Sequence, residues 1–217
     1  MRTRAGLLIA ALIVGAALVA PLARPAESSA SALPYYDSRD FTPRWSEVSH
    51  RVAPFELIDQ ENRRFTQRDL EGKIHVASFL FASCPGLCPT LVQRLKPVQT
   101  ALQGQDDVVM VSYTVTPLTD TPAVLSEFGK LRGIDPRTWR LATGELSEIR
   151  KVIADSYFAD DQRETGAAAG PGRLLHTEKV ILVDGSGRLR GIYNGTHAFE
   201  LERLVEDVGA LRLEKRE

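Results

Sequence analysis

The stretch Ile74 to Phe81 is apolar at most positions, the pattern of a strand buried on both faces, and it stops abruptly at Ser83-Cys84-Pro85-Gly86. Val108 to Val115 reads the same way, and Arg140 to Leu141 gives a weaker strand signal. Helical spacing fills the intervals. Pro89 to Leu102 predicts one helix, and Pro122 to Leu131 a second, entered through Thr121 as cap with Pro122 in its first turn. Glu145 to Tyr157 predicts a third, because Leu146, Ile149, Ile153 and Tyr157 fall on one face. Strands and helices in this order imply a parallel sheet with helices on both sides. Pro97 removes a backbone donor and crowds the preceding turn, so the first helix is expected to kink near Arg94.

Two hairpins flank this alternation. Phe55 to Ile58 and Arg64 to Thr66 are short apolar stretches separated by the turn formers Asp59-Gln60-Glu61-Asn62. After a Gly- and Ala-rich loop from Asp160 to Gly172, Val180 to Val183 and Leu189 to Tyr193 flank Asp184-Gly185-Ser186-Gly187. A closing helix carries Phe199, Leu201, Leu204, Val205, Val208 and Leu211 at helical spacing. The order β-hairpin, βαβαβα, β-hairpin, α predicts an α/β, thioredoxin-like fold with N-terminal and C-terminal β-hairpin additions. The sequence has no internal repeat.

The first residues change the picture of where this domain works. Arg2 and Arg4 precede Ala5 to Leu22, which holds no charge, a pattern that keeps the N-terminus in the cytoplasm and sends the following chain across a membrane. A span needs about 20 apolar residues, which this stretch nearly reaches. A retained anchor is the expectation, with cleavage near Ala30-Ser31-Ala32 as the alternative. The expected organisation is residues 1–32 as anchor or signal segment plus short linker, and residues 33–217 as one exported domain on the periplasmic side. No cysteine lies near the segment to carry a lipid. With 27 basic and 28 acidic residues the chain has a formal net charge of −1, and no basic patch predicts contact with nucleic acid.

Candidate chemistry is concentrated in Cys84-Pro85-Gly86-Leu87-Cys88-Pro89, which holds the chain's only two cysteines. A spacing of four puts both sulfurs on one face of a helix or around one tight loop, where they could share a soft metal ion or close into a disulfide. The predicted position, at the carboxyl end of a central strand where a helix begins, favours the thiolate that either chemistry needs. An oxidising compartment would drive the pair to a disulfide unless it is reduced or metal-bound. As a purely structural bridge the pair would close too small a loop to stabilise much. An imidazole would complete a trigonal copper site. His75 reads as a structural or solvent-facing strand residue, and His50 and His197 as capping or surface residues. His176 opens a hairpin strand and could approach the cysteines, or equally be a satisfied structural histidine.

These residues resemble the Sco/SenC family, thioredoxin-fold copper proteins that help assemble the binuclear copper centre of cytochrome c oxidase. The match rests on the cysteine segment, on Val111 to Pro122 with Thr116-Pro117 and Asp120-Thr121-Pro122, on Leu141-Thr143-Gly144, and on His176 before Val180 to Arg188. It spans about Pro54 to Leu204. The resemblance implies that Cys84, Cys88 and His176 bind one copper ion per chain, Cu(I) or Cu(II). It implies as partners the copper-bearing subunit of the oxidase and an upstream copper donor or thiol reductant, with the membrane contacted through the N-terminal segment. Many relatives have an aspartate where this chain has Thr116.

A competing class uses the same sulfurs. In a thiol:disulfide oxidoreductase that reduces the oxidase's copper-site cysteines, Cys84 and Cys88 would be the catalytic redox pair, Cys84 attacking and Cys88 resolving. Such enzymes usually have two residues between the cysteines, where this chain has three, and need no histidine ligand.

Overall fold

Residues 33–159 and 178–214 are described by a computed structural model of the chain. Their strands and helices follow in the order β1 (Glu56–Asp59), β2 (Arg64–Thr66), β3 (Ile74–Leu80), α1 (Leu87–Leu102), β4 (Val108–Thr114), α2 (Pro122–Arg132), β5 (Trp139–Thr143), α3 (Leu146–Lys151), β6 (Lys179–Val183), β7 (Leu189–Asn194) and α4 (Ala198–Glu214). Both hairpins, the three βα alternations and the closing helix fall where the periodicity puts them. The proposed anchor, the Asp160 to Gly172 loop and His176 lie outside the described residues.

All seven described strands join one sheet in the order β2-β1-β5-β4-β3-β6-β7. The sheet is parallel only at its centre: β3 pairs with β4 and β4 with β5 in parallel, whereas β1 and β6 run antiparallel to their neighbours. The expected parallel sheet is the centre formed by β3, β4 and β5, and the two expected hairpins supply the antiparallel strands. The hairpins thus widen the sheet on both sides of the parallel core.

Burial follows the period of two. Ile74, Val76 and Leu80 of β3 face one layer, where Leu91, Leu95, Val98 and Leu102 of α1 pack with Leu125 and Phe128 of α2 and Leu201, Leu204 and Val208 of α4. Ala77 and Phe79 face the other, with Tyr113, Ile149, Ile153, Tyr157, Phe55 and Val52. Each large apolar side chain removed from water in these layers contributes about 1.5–3 kcal/mol before entropic costs.

Local signals explain most boundaries. Thr121 caps α2, its Oγ1 accepting from Val124 N–H at 3.3 Å, with Pro122 next. Gly133 closes that helix in the left-handed region at φ 65°. Helix α1 runs without interruption through Pro97 and begins two residues earlier than expected, at Leu87. The third helix differs more. It is α-helical only to Lys151 and continues as a π-helical turn over Val152–Ser156. At its end Ser156 binds the lead-in segment: its Oγ accepts from Ala53 N–H and its carbonyl lies 2.9 Å from His50 Nε2. His50 also stacks on Phe158 at 4.4 Å, so it ties two segments together instead of serving as a cap or surface residue. No described helix is long and apolar enough to cross a membrane.

Two polar networks cross the core. Ser112 Oγ lies 2.6 Å from Ser78 Oγ and accepts from Trp139 Nε1 at 2.8 Å. In the second layer His75 Nε2 lies 3.0 Å from the Tyr157 hydroxyl, which lies 2.8 Å from that of Tyr113. His75 is a structural residue, fully enclosed, and burial pushes its pKa down to about 3 despite the nearby negative charge of Asp184.

A folded pKa below the unfolded value means that the unfolded chain takes up a proton first as pH falls. Stability from neutral His75 is therefore complete above about pH 6.5 and is lost as pH drops toward 3, by up to about 1.4 kcal/mol per pH unit. His75→Gln can still pair with Tyr157 but does not titrate. Denaturant unfolding from pH 7 to pH 4 should show wild type losing stability relative to this variant; a difference that stays constant with pH would refute the assignment.

Candidate metal centre

The dithiol is built by the way β3 hands over to α1. The last rung of the β3–β4 ladder is reinforced by Val115 N–H donating to Leu80 O at 2.9 Å. The chain then turns, with Cys84 N–H donating to Phe81 O at 3.3 Å, and α1 begins at Leu87. Pro85 has no donor to offer and Pro89 stands in the first helical turn, where no donor is required. Pro85 and Gly86 are exposed. No atom lies within 4 Å of where a side chain on Gly86 would start, so the loop's outer face is open.

Beneath that loop lie both sulfurs. Cys84 and Cys88 are free thiols, 6% and 4% exposed, so the loop is exposed but the sulfur atoms are sheltered. The Cys88 N–H donates to Cys84 Sγ at 3.3 Å, which places both residues in one turn of chain. The two thiols differ in acidity. Burial opposes the Cys84 thiolate, but donors outweigh it: the Cys88 backbone and thiol, then the Gly86 and Leu87 N–H groups, hold its pKa below the ordinary thiol value. Burial pushes the Cys88 pKa up to about 12; its hydrogen bond to Cys84 and the negative charges of Cys84 and Asp120 act in the same direction. Cys84 is thus the more acidic thiol of the pair.

Of the other expected donors, His75 is at the opposite end of β3, locked against Tyr157, and His50 is held by Ser156 and Phe158. His197 is 65% exposed, ahead of α4, with Nδ1 3.5 Å from Glu200. None of these three joins the sulfurs. Among the described residues no group of three Cys, His, Asp or Glu side chains could hold a metal ion.

One residue beneath the site stood out in the sequence only within the matching segment Asp120-Thr121-Pro122, with no role of its own. Asp120, 1% exposed, receives at its Oδ2 the Ala82 N–H at 3.1 Å, the Thr114 hydroxyl at 2.5 Å and the Thr116 hydroxyl at 3.0 Å. Beyond that segment, its sequence signal was an acid just before a helix cap, in a loop leaving a central strand.

A thioredoxin-like fold with a free, asymmetric dithiol where its central strand meets a helix defines a redox or soft-metal protein of that superfamily. Within it, the chain belongs to the SCO1/SenC family, whose model matches residues 44–211. It is 25% identical over 163 residues to the SCO1 protein homolog of Bacillus subtilis, covering 74% of this chain and 82% of that one. Among solved structures it is similar to a SCO1/SenC family lipoprotein from Bacillus anthracis (TM-score 0.66, 27% identity, 76% of this chain and 96% of that one). It is also similar to BsSco, described as a member of the Sco family of cytochrome c oxidase assembly proteins and as having a disulfide switch (0.63, 25%, 75% and 93%). A third is Bradyrhizobium japonicum ScoI with copper bound (0.58, 27%, 73% and 98%).

The acidity difference gives a direct expectation. In the reduced protein, iodoacetamide followed by peptide mass spectrometry should modify Cys84 before Cys88 at pH 7, with the Cys84 rate levelling off at lower pH. Equal rates at both sulfurs across pH would contradict the asymmetry.

Proposed function

We propose that this protein binds copper through Cys84, Cys88 and His176 and delivers it to the copper-bearing subunit of cytochrome c oxidase during assembly. The observation that carries this reading is the free dithiol in one turn of chain, beneath an open loop at the carboxyl end of β3. Two sulfurs so close, one of them inclined to thiolate, suit a soft cuprous ion, and an imidazole added to them suits the cupric state as well. The copper-bound ScoI and the oxidase-assembly description of BsSco support the same cargo and client.

Placement of His176 in this set draws on its neighbour in sequence. Glu178 directly precedes β6, whose pairing of Ile181 with Ala77 puts the strand's start level with the end of β3. The Glu178 carbonyl accepts from Gly195 N–H at 2.7 Å, and a side chain on Gly195 would collide with Leu91, one turn of α1 beyond Cys88. Glu178, two residues along the chain from His176, is therefore at the dithiol end of β3, which supports including His176 in the set.

In operation Cys84 takes up the ion first, because its proton is held less tightly than that of Cys88, and Cys88 gives up its proton as the metal arrives. Release runs in reverse, with the partner's ligands replacing these donors one at a time through the open side above Gly86. The uncharged stretch after Arg2 and Arg4 would hold the domain on the outer face of a membrane.

The thiol asymmetry also favours a second reading, in which the Cys84 thiolate attacks a disulfide in the client and Cys88 resolves the mixed disulfide, leaving the client reduced and the Cys84–Cys88 pair oxidised.

Titration of the reduced full chain in mild detergent with cuprous and cupric ions separates the two. Copper delivery predicts one ion per chain and a cupric–thiolate absorption band that is lost in both Cys88→Ser and His176→Ala. A reductase predicts that His176→Ala exchanges thiols at the wild-type rate and that wild type retains no copper. Full copper retention by His176→Ala with an unchanged band would remove His176 from the ligand set.

A further inference from the structure

The geometry points to Asp120 as the positioning residue of the dithiol, the group that sets where the cysteine loop leaves the sheet. This inference rests on the copper reading above. A single oxygen, Asp120 Oδ2, collects three donors from two segments: the Ala82 N–H at the root of the cysteine loop, and the Thr114 and Thr116 hydroxyls at the end of β4. The loop root and the end of the neighbouring strand are thereby fixed to one buried point. Hydrogen bonds to a carboxylate are shorter and stronger than those between neutral groups, so this junction is stiff.

The Asp120 side is itself well held. Its backbone N–H donates to Thr116 O at 2.9 Å, and the Thr116 N–H donates to Thr114 Oγ1 at 3.1 Å, so the turn 116–120 is closed on itself before it reaches across. On the other side, apart from the Ala82 amide, the loop from Ala82 to Gly86 bonds locally: Cys84 N–H to Phe81 O, and the Gly86, Leu87 and Cys88 N–H groups around the Cys84 sulfur. Without the carboxylate, the Ala82 amide has no acceptor in place and the loop root is free to drift. The two sulfurs must meet one ion within bonding distance, so drift at the root is felt at the metal. Asp120 acts on the loop through Ala82, and its negative charge also bears on Cys88.

Three variants of the full chain test this: Asp120→Ala, Asp120→Asn and Thr114→Val. Loss of such a supporting partner typically weakens metal affinity by about 10- to 100-fold, and Asp120→Ala is expected to lie in that range with a shifted cupric–thiolate band. Asp120→Asn keeps an oxygen for Ala82 and should restore affinity to within about threefold of wild type and return the band to its wild-type position. Thr114→Val removes a donor from the same oxygen but leaves Ala82 its acceptor; a merely structural role would make it as damaging as Asp120→Ala, whereas positioning predicts an unmoved band. The proposal is overturned if Asp120→Ala holds copper as wild type does, or if Thr114→Val matches its loss. Should Asp120→Ala fail to fold, amide hydrogen exchange at Ala82 decides: protection in wild type and in Asp120→Asn supports the role, and rapid exchange in wild type ends it. If wild type binds no copper, the copper reading fails separately, and the Cys84 alkylation rate in Asp120→Asn and Asp120→Ala still reports on the loop, with equal rates in both counting against Asp120.

Discussion

Parallel pairing of β3 with β4, in register from Ile74–Val108 to Leu80–Thr114, is the constraint from which the site follows. Parallel neighbours cannot be joined by a tight turn, so the chain must leave the carboxyl end of β3, cross the sheet as α1 and return to the start of β4. That exit is where Cys84 and Cys88 lie. The helix start supplies the N–H groups that stabilise one sulfur, and the carboxyl end of β4, emerging alongside, supplies Thr114 and the Asp120 turn. The dithiol is thus a product of the crossover and of its adjacent strand end together.

The two sulfurs illustrate how one short loop produces two different chemistries. Both are sheltered to a similar degree, so burial alone would make both weak acids. What separates them is whether burial is offset: Cys84 receives a fan of backbone donors that outweighs it, while for Cys88 burial is the largest effect and one sulfur and one carboxylate reinforce it. A pair built this way presents one ready ligand and one that commits only when a cation or a disulfide partner arrives. Metal transfer and thiol exchange share this requirement, which is why the two readings of function converge on the same residues.

Much of the fold was legible because its signals are local. Thr121-Pro122 announces α2, Asp184-Gly185-Ser186-Gly187 announces the β6–β7 turn, and the apolar runs of β3 and β4 announce strands covered on both faces. The third helix was harder, since Leu146, Ile149, Ile153 and Tyr157 keep the same spacing whether the backbone winds as an α-helix or loosens into a π turn over Val152–Ser156. Strand β5 was underestimated because Trp139 is held by Ser112 and β4, contacts distant in sequence. The cysteines were visible from spacing and family resemblance. Asp120 was visible as part of a matching segment but its role was not, because three donors converging on one oxygen come from residues 82, 114 and 116, and no spacing rule links them.

Arg190 gives the fold a polarity of its own. This guanidinium, 3% exposed, binds Glu214 at the end of α4 together with the carbonyls of Leu33 and Pro34, and it lies over the Tyr35 ring. The lead-in is therefore fastened beside Gly72 and the β6–β7 turn, where β3 begins. From there β3 carries the chain seven residues, about 23 Å, before the sulfurs appear. The contacts that hold the lead-in and the two sulfurs therefore lie at opposite ends of β3, so the open side above Gly86 is clear of the residues that fasten the lead-in.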